Sequence, residues 1–374
     1  MIKAMTIVGT RPELIKMCRV IDTFDRHTRH VLVHTGQNHD HALNQVFFDE
    51  LRIRPPDHFL GVAGGSPAAT IARVIERADE ILAREAPDAL LLYGDTNSCL
   101  AAIAAKRRKV PVFHMEAGNR CFDDRVPEEI NRRIIDHVSD VNVVITEHAR
   151  RYLLAEGLPA DRIFRLGSHL PEVLAHFRTE IDASAVRTRL GLDERAYFLV
   201  SMHREENVDD PARLRGLLDT LDAVAERHGL PVVVSTHPRT RDRLERLAHP
   251  PRHPLVRFEK PFGFLDYVRL QCDAACVLSD SGSLTEESAV LGFAAIALRD
   301  CHERPEGVDA GVLVMAGLER ESVLDAIRIT LATAVERGPR DVEDYRATDV
   351  SHKLLKLVLG YVPFVRERVW HDRR

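Results

Sequence analysis

The sequence predicts an α/β protein built from two open, doubly wound parallel sheets, and three observations carry that expectation. Short apolar runs alternate with amphipathic helical segments along the chain, the pattern of strand–helix units that feed a parallel sheet. The alternation gives way to a charged, largely helical stretch over Leu170–Leu192 and starts again at Tyr197. Polar and charged residues gather directly after the apolar runs, and ligands of open α/β sheets bind at strand carboxyl ends. With 374 residues, each half is long enough to bury a core of its own.

In chain order, Lys3–Val8 reads as the first strand, followed by Gly9-Thr10-Arg11-Pro12-Glu13 and an apolar-periodic helix through Ile21. A tight glycine turn into a helix N-terminus offers N–H groups to an anion, and Arg11 and Lys16 would add charge. The turn is neither a GxGxxG nor a Walker A loop, which disfavours nicotinamide and ATP. His30–Thr35 is the second strand, with Gly36–Asp40 as its exit loop. Ala68–Arg84 is helical, Ala89–Tyr93 is the third strand, and the Gly94–Ser98 loop brings Asp95 to the rim. Val110–Met115 runs into Glu116. Pro127 then opens a helix whose first turn carries Glu128 and Glu129, where proline's missing N–H costs nothing and acids meet the positive end of the dipole. The plainer reading of that helix is dipole compensation, with Arg132 and Arg133 paired to the acids at helical spacing. Carboxylates from Asp95, Glu116 and Glu128 on one rim would repel one another, a poor arrangement for stability and a useful one for proton transfer. Asp140–Ile145, Glu147–Glu156 and Arg162–Gly167 complete this half as strand, helix and strand.

In the second half, strand Tyr197–Met202 ends at His203, helix Pro211–His228 follows, and strand Val232–Ser235 ends at His237. Strand Cys276–Ser279 runs into Asp280-Ser281-Gly282-Ser283 and a helix bearing Glu286 and Glu287. This is a second anion seat: N–H groups at Ser281–Leu284 would face a phosphate, and Glu287 would accept from ribose hydroxyls. An ordinary capped helix with an acidic start is the alternative. His203 and His237 are candidate phosphate donors. After strand Ala295–Leu298, the polar run to Gly307 brings Arg299 and Arg304 toward the same anion. Helices from Glu321 onward close the domain, and the amphipathic segment Ser351–Trp370 is expected to pack back on the first half. The expected organisation is two Rossmann-like domains facing a cleft: residues 1–169 carrying the carboxylates, 170–360 binding the nucleotide, and 361–374 returning to the first domain. A nucleoside diphosphate whose attached group is worked on by the first half suits that distribution.

Composition excludes several classes. A net charge of −5 with interspersed basic residues leaves no nucleic-acid footprint. No apolar run approaches the ~20 residues of a membrane span, and Arg11 and Glu13 interrupt any signal-peptide layout, so a cytoplasmic location is expected. The six cysteines are scattered without a CxxC pair and read as reduced thiols, with Cys121 a minor candidate for reactivity. Without HxH, CxxC or HExxH spacing, no bound metal is expected.

The runs GTRPELIK (Gly9–Lys16), TGQN (Thr35–Asn38), GDTNS (Gly94–Ser98), HMEAGNR (His114–Arg120), PEEINR (Pro127–Arg132), HREEN (His203–Asn207), SDSGSLTEES (Ser279–Ser288) and ERPEG (Glu303–Gly307) together resemble the signatures of the non-hydrolysing UDP-N-acetylglucosamine 2-epimerase family. They span nearly the whole chain in the family's order. The resemblance implies a glycosyltransferase-B-like fold, usually a homodimer, with a UDP-sugar between the domains. It implies C2 inversion by anti elimination of UDP to a 2-acetamidoglucal and re-addition, with no redox cofactor. On matching positions, Asp95, Glu116 and Glu128 become the acid/base carboxylates. Arg11, Lys16, Arg132 and His203 would hold the diphosphate, and Ser281, Gly282, Glu287 and Arg304 the UDP portion. The loop TGQNHDH (Thr35–His41) departs from the TGQH of better-known members and puts their second, allosteric UDP-GlcNAc site in question. The HMEAGNRCFD, RVPEEINRRIIDH and STHPRTRDR runs are more similar to the branch that makes UDP-N-acetyl-L-fucosamine from a 6-deoxy talose precursor (UDP-2-acetamido-2,6-dideoxy-L-talose 2-epimerase). A glycosyltransferase of the same fold, for which the carboxylate trio would be surplus, is the alternative. A catalytically silent sugar-nucleotide-binding module is disfavoured by that trio.

Overall fold

The computed structural model describes residues 1–37, 47–245, 253–333 and 340–371. It resolves into two compact units, Met1–His176 with Asp344–Arg374, and Phe177–Glu343. In the first unit, strands β1 (Lys3–Val8), β2 (Arg29–His34), β3 (His58–Phe59), β4 (Ala89–Tyr93), β5 (Val112–Ala117), β6 (Val141–Val144) and β7 (Ile163–Arg165) form one sheet in the order β3-β2-β1-β4-β5-β6-β7. Every pairing is parallel. Chain order reverses between β1 and β4, which makes their carboxyl ends the switch point where such sheets bind ligands. The strands are apolar because helices cover both faces of a parallel sheet; β4 is buried along its whole length. Met5, Ile7, Val33, Leu90, Leu92 and Val112 pack on one face against Val74, Ala78 and Leu82 of the Pro67–Glu85 helix.

The second unit repeats the plan with β8 (Phe198–Met202), β9 (Val232–Thr236), β10 (Val256–Glu259), β11 (Cys276–Ser279), β12 (Ala295–Ala297) and β13 (Val314–Met315), ordered β10-β9-β8-β11-β12-β13 and all parallel. Its switch point lies between β8 and β11. Alternate residues of β8 serve opposite faces: Phe198, Val200 and Met202 join one core, and Leu199 joins the other with Val233, Val277 and Leu284.

Two features differ in detail from the sequence reading. The Leu170–Leu192 stretch is three short helices, Leu170–His176, Arg178–Asp182 and Val186–Leu190, and the units divide after the first. The returning chain rejoins the first unit from Asp344, and its Val350–Phe364 helix packs on the Arg11–His27 helix. Glu172, buried, fixes that return by accepting from both the Ser351 amide and hydroxyl. Among the described residues, no helix is long and apolar enough to cross a membrane.

Candidate active site

The first unit gathers charge at the ends of β1, β4 and β5. Gly9 and Thr10 turn the chain from β1 into the Arg11–His27 helix, and a side chain at Gly9 would collide with Ser98 Oγ at 2.0 Å and Thr35 Oγ1 at 2.2 Å. Glu13 closes the turn: one carboxylate oxygen accepts from the Gly9 amide at 2.6 Å and the Thr10 amide at 2.7 Å, the other from Thr96 Oγ1 at 2.6 Å. It thereby ties the β1 loop to the loop after β4. Burial outweighs these donors and raises its pKa. Arg11, half-buried, lies 5.1 Å over the Phe47 ring, a cation–π contact, and Lys16 is buried one helical turn further on.

Asp95 and Glu116 occupy the neighbouring ends of β4 and β5, and each carboxylate meets a donor. Arg132 Nε donates to Asp95 Oδ2 at 2.7 Å, and Tyr93 donates its hydroxyl proton to Glu116 Oε2 at 2.5 Å. Glu116 lies within β5, not just beyond it, at a register shift between Met115 and Ala117. Its φ is +63°, the left-handed region that a residue with a Cβ adopts only when its surroundings hold it there.

The Pro127–Val138 helix divides the two acids of its first turn. Glu128 is exposed on the first turn, whereas Glu129 is fully buried. Glu129 accepts from the Cys121 amide at 3.0 Å and the Phe122 amide at 3.3 Å, and pairs with Arg132 at 2.8 Å. Burial raises its pKa, but the amide and Arg132 outweigh burial and hold it low. The pairing expected from helical spacing is therefore real, but it belongs to Glu129, and Arg132 is shared between Glu129 and Asp95. Burial pushes the Cys121 thiol up to about 11, so the thiolate that reactivity needs is scarce.

In the second unit, the turn after β11 lines a shallow cleft that is partly open to solvent. Ser281, Gly282 and Arg304 all face it, with Thr285, Arg299, His302 and Glu303. The expected array of free amides is partly engaged: the Ser281 amide donates to Ser279 Oγ at 3.0 Å, and Leu284 N to the Ser281 carbonyl at 3.4 Å. Gly282 is the approachable point, since a Cβ there would meet only side-chain tips, Glu303 Oε2 at 3.3 Å foremost. Arg299 is committed to Glu303 through two bonds of 2.9 and 2.8 Å, and Arg304 contacts Glu286 at 3.3 Å. Glu287 is oriented by Ser283 Oγ at 2.8 Å and Gln271 Nε2 at 2.5 Å.

His203 and His237 come together, ring centroids 6.2 Å apart, at the ends of β8 and β9. Asp280, fully buried, anchors the first of them, with His203 Nδ1 3.2 Å away and the Arg204 amide and Asn207 donating to it. Burial raises the Asp280 pKa, and His203 with these donors overcomes it and holds the carboxyl low. The sequence reading gave no site role to Asp280, Tyr93 or Gln271, and gave Glu129 only dipole compensation and an arginine partner at helical spacing. Only Glu129 had a local signal, three residues before Arg132; the others act across parallel strands or between helices.

Two Rossmann-like units, one with carboxylates on its sheet rim and one with a helix-start cleft suited to an anion, define a nucleotide-dependent α/β enzyme. The chain matches the family model described as UDP-N-acetylglucosamine 2-epimerase over residues 22–359, and it belongs to that family. It is an isomerase of the epimerase type. A solved structure of UDP-N-acetylglucosamine 2-epimerase from Rickettsia bellii is similar at 52% identity and TM-score 0.91, covering 99% of this chain and 100% of that one. The Methanocaldococcus jannaschii UDP-GlcNAc 2-epimerase, solved in complex with UDP-GlcNAc and UDP, is similar at 29% identity and TM-score 0.88, over 96% of this chain and 99% of that one. The UDP-2,3-diacetamido-2,3-dideoxy-D-glucuronate 2-epimerase of Pseudomonas aeruginosa is 34% identical over 340 residues, 89% of this chain and 94% of that protein.

Proposed function

We propose that this enzyme inverts C2 of a UDP-N-acetylhexosamine without hydrolysing it. A carboxylate takes the C2 proton, the C–H electrons form the C1=C2 bond, and the C1–O pair leaves with UDP, giving a 2-acetamidoglucal. UDP re-adds at C1 and C2 takes a proton on the opposite face. Asp95, Glu116 and Glu128 supply the acid and base. Arg11, Lys16, Arg132 and His203 stabilise the charge that builds on the departing diphosphate, a role worth about 3–4 kcal/mol for one well-placed donor. His237, Ser281, Gly282, Glu287 and Arg304 hold UDP. The enzyme works as a homodimer.

The observation that carries this reading is the pair of adjacent strand ends presenting Asp95 and Glu116 beside Arg132 and Tyr93. Tyr93 can share its hydroxyl proton with Glu116, and Arg132, which does not give up its proton, holds Asp95 in place by a charge-assisted hydrogen bond. The runs around Glu116, Glu129 and His237 support a 6-deoxy substrate, UDP-2-acetamido-2,6-dideoxy-L-talose, giving UDP-N-acetyl-L-fucosamine. Incubation in D₂O with UDP-GlcNAc and with the 6-deoxy talose compound tests both levels. Deuterium is expected at C2, faster in the 6-deoxy sugar; no incorporation into any UDP-N-acetylhexosamine would overturn the reaction, and a preference for UDP-GlcNAc would overturn the substrate.

A further inference from the structure

We infer that His114 and Asp136 are positioning residues that hold the carboxylates of β4 and β5 in their working geometry. The inference rests on the reading that Asp95 and Glu116 act at sugar C2. Both residues are buried. His114, on β5, places Nε2 2.7 Å from the Gly94 carbonyl oxygen and Nδ1 2.8 Å from Asp136 Oδ1. A carbonyl can only accept, so Nε2 carries a proton and grips the peptide that leads directly into Asp95. Asp136, from the Pro127–Val138 helix, accepts from the Gly118 amide at 3.2 Å and from Arg120 Nη1 at 2.7 Å. Gly118 follows Glu116 by two residues, and Arg120 is held in turn by Glu156 through two bonds of 2.7 Å.

One carboxylate thus fixes the backbone on the far side of Glu116, and through the imidazole it fixes the backbone before Asp95. That is what a left-handed Glu116 requires. A non-glycine residue with φ of +63° is strained and persists only when its neighbours over-determine it. The Gly94 amide adds a third restraint by donating to the Met115 carbonyl at 2.9 Å. The cluster's bonds run to the backbone beside each of the two carboxylates, so its use here is geometric. Asn at position 136 would keep one oxygen for donors that now use two and would turn an amide N–H toward one of them.

The test compares kcat for C2 deuterium exchange with UDP affinity by calorimetry, on protein shown to be folded by circular dichroism. Asp136→Asn and His114→Gln are expected to lower kcat ~10- to 100-fold, the effect of misplacing a reacting group by about 1 Å, while KM and UDP affinity stay at wild-type values. Asp88→Asn, which loosens the contacts of Lys3 and Arg366 at the amino end of β4, the end opposite Asp95, should lower Tm and leave kcat unchanged. Wild-type kcat in either folded cluster variant would overturn the inference, as would equal losses of kcat and UDP affinity. Collapse of both variants would overturn it too, marking the cluster as core and not as part of the site. If the wild-type enzyme exchanges no deuterium with any candidate sugar, the proposed reaction fails, and that result is distinct from these.

Discussion

At the scale of single residues, the adjacent acids Glu128 and Glu129 have opposite environments, and their variants should separate stability from chemistry. Glu129 is fully buried with two amides and Arg132 upon it. Removing it leaves a buried cation short of a partner, a loss of about 3–5 kcal/mol; Glu129→Ala should lower Tm sharply in a thermal melt. Glu128 is exposed, so Glu128→Gln should leave Tm unchanged and, as an acid/base residue, abolish deuterium exchange. Glu116→Gln should bind UDP normally in calorimetry and lose exchange by at least ~100-fold, as for loss of a general acid or base. The sequence displayed both acids but not the division between them, because a helix dipole acts on neighbours alike. Only the fold decides which points inward.

At the scale of elements, the long strands and helices were legible because their apolar period persists over enough residues to be read: Lys3–Val8, Ala89–Tyr93, Pro211–His228 and Cys276–Ser279 match the expected bounds. The two-residue strands His58–Phe59 and Val314–Met315 are too short to show a period, and they exist because a parallel neighbour offers a free edge. The Asn38–Asp40 part of the second strand's exit loop lies outside the described residues. Close approach between elements is also invisible in the sequence until a glycine is placed. Gly307, in the Pro305–Asp309 helix, is such a point: a Cβ there would lie 1.9 Å from Thr285 Cγ2 on the Leu284–Leu291 helix. Thr285 is β-branched and stiff, so Gly307→Ala must push the helices apart, at a cost of about 1–3 kcal/mol. Because Thr285 and Arg304 line the helix-start cleft, UDP affinity by calorimetry should fall together with Tm. A variant with wild-type affinity would separate the cleft from UDP binding.

At the scale of the whole molecule, each unit hides one ionised aspartate beneath its candidate site, and this sets the response to acid. Burial alone would raise both pKa values; His114 and Arg120 outweigh it at Asp136, and His203 with the amides outweighs it at Asp280. Both carboxyls therefore titrate below the ordinary aspartate value, about 3.9 in an unfolded chain. A depressed folded pKa means that the stabilisation is complete above about pH 4 and is lost as the pH falls through the depressed values. Glu13 runs the other way. Its pKa is raised from 4.5, chiefly by burial, so its contribution is complete below that value and is lost as the pH rises through the raised one. Acidification should thus first relieve Glu13, from its raised pKa down to about 4.5, and then, below about pH 4, release the two aspartates. Trp370, the only tryptophan, lies in the first unit, so its fluorescence follows Asp136 while far-ultraviolet circular dichroism follows both units. Asp136→Asn should flatten the fluorescence-detected acid transition below about pH 4, and Asp280→Asn should flatten the dichroism transition while leaving the tryptophan signal's pH dependence in place. Wild-type pH slopes in both variants would show that other carboxylates carry the acid limb.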